Sequence, residues 1–151
     1  MNLTQLHRIR QTAIDQNWTE MEKFFNSSIQ LRHIGIRVDL TDINRPLVII
    51  DTVEEYHKGG IGTEAVNGAV IAMLADLAIG LLGLTHYAEG MTGTSNLNIN
   101  YIKPLLAKKV IVRAEQTVVV NKRIFGIVRI MNENEEVCAY ATGALAKGIL
   151  I

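Results

Sequence analysis

The sequence predicts an α+β fold in which one antiparallel β-sheet wraps a single long buried helix, with a helical arm at the N-terminus. Three observations predict it. The stretch 65–85, AVNGAVIAMLADLAIGLLGLT, is apolar on every side and carries one charge between Val66 and Leu84, Asp76; a helix apolar all round is a buried one. After it come four segments of alternating or β-branched residues, separated by short polar turns. Before it, apolar residues recur every three or four positions from Thr4 to Ser27, the period of a helix.

In order along the chain, Leu6, Ile9 and Ala13 mark one helical face, and Trp18, Met21, Phe24 and Phe25 continue at similar spacing. Thr4 and Thr19 are candidate starts, and Asn17 and Asn26 candidate interruptions, so the arm reads as one broken helix or two short ones. Ile29–Leu40 alternates, with Ile34, Ile36, Val38 and Leu40 on one face, and Arg45–Val53 is rich in β-branched residues. Thr41–Pro46 carries turn residues, which makes the pair a hairpin. His57-Lys58-Gly59-Gly60-Ile61-Gly62 reads as a flexible Gly-rich connection. Beyond the helix, Thr92–Tyr101 sets Thr94, Asn96, Asn98 and Asn100 against Ser95, Leu97, Ile99 and Tyr101. Lys109–Val120, Arg123–Met131 and Glu136–Lys147 complete an antiparallel meander. The chain divides into a helical arm, 1–28, and a sheet-and-helix domain, 29–151. One helix cannot cover both faces of a long sheet, and terminal strands expose edges; a dimer or higher oligomer is expected.

Composition excludes several classes. Lys and Arg number 15 and Asp and Glu number 15, which argues against a nucleic-acid-binding surface. Cys138 is the only cysteine, which leaves no internal disulfide and no multi-cysteine metal site. His7, His33, His57 and His86 lack metal-ligand spacing, so no metal is expected. The run at 65–85 has the length of a membrane span. Asp76 near its centre and the lack of Lys and Arg at its flanks argue against one. The N-terminus has no apolar signal core, and the expected location is the cytoplasm.

The chemistry falls on the central helix. No Gly-x-Ser-x-Gly elbow is present, and Cys138 lies in a predicted strand, where cysteines are mostly inert. The Gly-rich segment 57–62 is followed by no Lys-Ser/Thr pair, so it is not a phosphate-binding loop. An enclosed carboxylate such as Asp76 needs partners or a shifted pKa, and chains that keep one commonly use it; a paired structural Asp is the alternative. Asn67 suits the cap of the helix. At Gly68 the absence of a side chain would let a carbonyl approach the first-turn N–H groups, which can stabilise an oxyanion. Gly68 and Asp76 are eight residues apart, about 12 Å along a helix. If both act on one carbonyl, they must come from different subunits.

The ordered set His57-Lys58-Gly59-Gly60-Ile61-Gly62, Asn67-Gly68-Ala69, Asp76, the segment Thr94 to Pro104 with Asn98 and Tyr101, and Ala139-Tyr140-Ala141-Thr142-Gly143 resembles the hotdog-fold acyl-CoA thioesterases of the phenylacetyl-CoA and 4-hydroxybenzoyl-CoA type. The resemblance covers roughly the last two-thirds of the chain. It implies a hotdog fold, and Asp76 as nucleophile or general base. It implies the Gly68 N–H as the group that polarises the thioester carbonyl, with Asn67 in the place of the family's His beside it. Thr94 stands where relatives carry a Ser or Thr that supports the water or the carboxylate. His57, Gly59 and Gly62 fall in the family's first substrate-side block, and Lys103, Lys108 and Lys109 would meet the phosphates of coenzyme A. The substrate implied is an acyl-CoA or acyl-carrier thioester. Coenzyme A is then part of the substrate and no separate cofactor is needed. A dimer or tetramer with sites at the subunit interface is implied too. The chain departs from the pattern at Gly59 (Asn in the family), Asn67 (His) and Ala69 (Gly), with two extra residues within Thr63–Val66. These departures keep open a non-catalytic acyl-CoA- or lipid-binding protein, and a hotdog dehydratase or hydratase is a further alternative.

Overall fold

A computed structural model describes residues 3–149; the outer ends of both predicted segments, 1–2 and 150–151, lie outside the described residues. The arm is two helices, α1 (Leu3–Ile14) and α2 (Trp18–Asn26), and a short third helix, α3 (Ile29–Ile34), follows it. Asn17 is the interruption expected, and it caps α2 by accepting the Glu20 N–H at 3.1 Å. The alternating segment Ile29–Leu40 does not form the strand expected over its whole length. Ser28 caps α3 by accepting the Leu31 N–H, and Gly35 ends it in the left-handed region at φ 72°. Only Arg37–Asp39 remains as β1.

A six-stranded antiparallel sheet has the order β1-β2-β6-β7-β8-β5, with β2 at Leu47–Ile50, β5 at Met91–Tyr101, β6 at Val110–Val120, β7 at Arg123–Met131 and β8 at Val137–Ile149. The Gly-rich connection is a small hairpin, β3 (Lys58–Gly60) and β4 (Thr63–Val66), whose tip residues Ile61 and Gly62 both have positive φ, 55° and 76°. The central helix α4 spans Gly68–Leu81, and a 3-10 turn, Leu84–Glu89, leads into β5. No described helix is long and apolar enough to cross a membrane.

The core lies between α4 and the concave face of the sheet. Leu74, Ala75, Ala78 and Ile79 are fully buried, and Ile71 and Leu81 nearly so, against Val112, Ile124, Val128, Ala141 and Leu145. Burial of each large aliphatic side chain contributes about 2 kcal/mol. Two glycines let the helix approach: a Cβ on Gly143 would sit 2.8 Å from Ile79 Cδ1, and one on Gly126 would sit 2.4 Å from Leu82 Cδ1. The opposite stripe of α4 (Ala69, Ala72, Met73, Asp76 and Gly80) is exposed or half-buried. The helix is therefore covered on one side within a single chain, not wrapped all round as its composition suggests.

The two sheet edges differ. At β1 the arm takes the place of a neighbouring strand. The Asn26 carboxamide donates to the Val38 carbonyl at 3.0 Å and accepts its N–H at 2.8 Å, and Glu22 accepts the Leu40 N–H at 2.8 Å. The β5 edge is long and no described element pairs with its outer side.

Candidate active site at the start of helix α4

Asn67 sits at the cap of α4 with extended backbone (φ −60°, ψ 136°), and its side chain accepts the Ala69 N–H at 2.8 Å. Its own N–H donates to the His57 carbonyl at 2.8 Å, and its carbonyl accepts the Ile71 N–H at 3.0 Å. Gly68 is the first helical residue and is exposed. Its N–H belongs to the first turn, where no intrahelical acceptor exists. Beside it lies a groove of about 330 Å³ lined by Val66, Gly68, Ile71, Tyr101, Lys103 and Leu105. An N–H at the positive end of a helix, next to an apolar groove, suits a carbonyl oxygen that gains charge.

Asp76 lies about two turns further along α4 and is exposed, so the enclosed carboxylate expected within one chain is not found there. α4 runs antiparallel to β5: Tyr101 meets Gly68 at one end, and Thr92 crowds Gly83 at the other. Thr94 is exposed on β5, opposite the buried Leu145. A register shift between Thr94 and Asn96 breaks the strict alternation. The bulge moves Thr94 from the face of Asn96, Asn98 and Asn100 to the helix-facing side, with Leu97 and Ile99. One end of α4 thus carries Asn67 and Gly68. Asp76 and Thr94 lie toward the other.

The remaining predicted positions divide. His57 is 0% exposed. Its Nδ1 accepts the Glu54 N–H at 2.9 Å, which leaves Nε2–H to donate to the Ile34 carbonyl at 2.6 Å. The ring thus ties Glu54 to the end of α3, while the His57 backbone carbonyl holds the Asn67 N–H at the start of α4. Replacing His57 with Leu removes the partners of two part-buried backbone groups, and stability is expected to fall by about 2 kcal/mol in denaturant unfolding. A rise in KM with no loss of stability would place the ring in substrate contact. Gly59 serves the hairpin, since a Cβ there would meet Thr63 Cγ2 at 2.9 Å; Gly62 forms its tip. Lys103 lines the groove at Gly68 and is bonded to Glu136. Lys109 pairs with Asp51 at 3.6 Å. Lys108 lines a separate recess of about 470 Å³ with Lys58, Glu64 and Glu133. Lys58 bridges Glu55 at 2.6 Å and Glu64 at 2.5 Å, and those carboxylates push its pKa up to about 12.

A larger recess, about 580 Å³, opens at the opposite end of α4 between Arg45, Leu82, His86 and Glu115. Arg45 bonds Glu115 at 3.0 Å and His86 bonds Gln116 at 2.9 Å, so its polar side chains tie its own walls together. Cys138 is buried, and burial pushes its thiol pKa up, which keeps it protonated and unreactive. Sequence reasoning also missed Tyr101 as a member of this site. Its phenol donates to the Gly68 carbonyl at 3.0 Å, and its place three residues before Pro104 was the only signal.

Residues 64–139 match the family model described as the thioesterase superfamily. The chain belongs to the thioesterase superfamily. The matched stretch holds Asn67, Gly68, Asp76, Thr94, Tyr101 and the three lysines, and leaves out His57, Gly59 and Gly62. The fold is that of the superfamily's hotdog domains. The Escherichia coli PaaI protein of the phenylacetic acid degradation operon superposes with TM-score 0.73 at 16% identity, over 93% of this chain and 96% of that one. A Shewanella oneidensis protein related to the thioesterase superfamily gives TM-score 0.74 at 20% identity, over 98% and 100%. A Haemophilus influenzae thioesterase gives 0.72 at 18%, over 83% and 86%. A search of curated protein sequences returns no match.

Proposed function

We propose that this superfamily member is an acyl-CoA thioesterase. The observation that carries the proposal is the family match over a stretch that holds an exposed helix-tip glycine beside a groove and, about two turns on, an exposed carboxylate. The thioester carbonyl oxygen is placed at the Gly68 N–H. The Asp76 carboxylate takes a proton from water as the water oxygen bonds to the thioester carbon, or attacks that carbon itself. Negative charge collects on the carbonyl oxygen, where the helix N-terminus stabilises it. The C–S bond then breaks. In the water route the thiolate takes the proton that Asp76 received, and the thiol and the acid leave; in the direct route the acyl group stays on Asp76 as an anhydride, which a water molecule hydrolyses to free the acid and supply the thiolate's proton.

Gly68 and Asp76 of one helix are about 12 Å apart, too far to serve one carbonyl. The site is therefore proposed to form between two copies, with Gly68 from one and Asp76 from the other, in a dimer or tetramer. The open β5 edge and the uncovered stripe of α4 support pairing on that side. Thr94 then supports the partner-facing carboxylate, and Lys103, Lys108 and Lys109 are the candidate contacts for coenzyme A phosphates. The proposed location is the cytoplasm.

Thiol release from short, long and aromatic acyl-CoAs tests the proposal. Turnover of at least one class is the expected result. No thiol from any substrate, with acyl-CoA still raising the melting temperature, would overturn it in favour of a binding protein.

A further inference from the structure

We infer that Tyr101 is a positioning residue that fixes the Gly68 donor; the inference rests on the role proposed for Gly68 above. Three observations converge. The Tyr101 hydroxyl donates to the Gly68 carbonyl at 3.0 Å. Its ring lies across the bare Cα: a Cβ built on Gly68 would meet Tyr101 Cε1 at 3.5 Å and Cζ at 3.7 Å. Tyr101 is also the last residue of β5, paired with the buried Ala139, so it ties the helix tip to the sheet.

Glycine needs such a tie. Without a Cβ it turns readily about φ and ψ, and an oxyanion donor acts only if its direction is set before the reaction. Val66 N–H to the Leu105 carbonyl at 3.0 Å and Asn67 N–H to the His57 carbonyl at 2.8 Å hold the chain just ahead of it. Ile71 N–H to the Asn67 carbonyl at 3.0 Å and Ala69 N–H to the Asn67 side chain at 2.8 Å are bonds of the helix cap itself, on the peptides either side of Gly68. Tyr101 adds the tie from β5 to the Gly68 carbonyl, on the groove side, where substrate would enter. The exposed phenol (55% exposed) thus has a task that a merely packed tyrosine would not have.

The test compares wild type, Tyr101→Phe and Tyr101→Ala in two measurements. Hydrogen exchange at the amides of residues 66–71 reads the restraint without reference to activity. Tyr101→Phe keeps the ring and loses the hydrogen bond, so exchange there is expected to rise several-fold while the melting temperature stays close to wild type. In turnover, kcat is expected to fall about 5-fold with KM within 2-fold, and Tyr101→Ala to lose more. Unchanged exchange would overturn the inference, as would a rise in KM with kcat intact, which would make Tyr101 part of the binding wall. If the wild type releases no thiol, the proposed function fails and the exchange measurement alone decides the role of Tyr101.

Discussion

Asp76→Asn is expected to lower kcat by about 10³-fold and leave the fold intact. Removal of a general base costs typically 10²–10⁴-fold, and the amide cannot take a proton from water or attack carbon. Structure gives no reason for the protein to need this carboxylate for stability. Asp76 is exposed and forms no ion pair among the described residues. Circular dichroism and the melting temperature should match wild type, and thiol release should vanish into background. Unchanged turnover would remove Asp76 from the chemistry.

Gly68→Ala is expected to lose about 10²-fold in kcat, near the cost of losing one oxyanion donor. Its fold should survive, since the added Cβ meets only the Tyr101 ring at 3.5 Å or more, ordinary van der Waals contact. The methyl group stands where the carbonyl must come close to the backbone. A change confined to KM would place Gly68 in binding alone, and full activity would leave the helix tip without a part in catalysis.

Much of the fold was legible because the signals were redundant. The β5–β8 meander carries β-branched runs, and turn residues punctuate them. Asn121, for example, takes φ 54° between β6 and β7. The candidate pair was legible as well, because Gly68 and Asp76 lie on one helix at fixed rise per residue. Three features were hidden. The pattern at Ile29–Ile34 suits strand or helix equally, and the neighbours decide it, through the Ser28 cap and the left-handed Gly35. The bulge at Ser95 moves Thr94 to the other face of β5, and nothing in an alternating sequence announces one extra residue. Apart from Asp76, the open stripe of α4 is built from Ala, Met and Gly, which look like core in a sequence. The bonds of His57 were hidden as well: the resemblance puts it in a substrate-side block, and no local pattern announces that its two ring nitrogens are spent on Glu54 and Ile34.

The composite site can be tested with the two inactive variants together. Equal amounts of Asp76→Asn and Gly68→Ala subunits, co-expressed so that they pair at random, would make half of the pairs mixed. Each mixed pair holds one intact combination, Gly68 of one copy with Asp76 of the other, so thiol release of about one quarter of the wild-type rate is expected. Recovery at that level would place the two groups on different subunits. A mixed preparation no more active than either variant alone, with mixed pairs confirmed by mass spectrometry, would contradict the account.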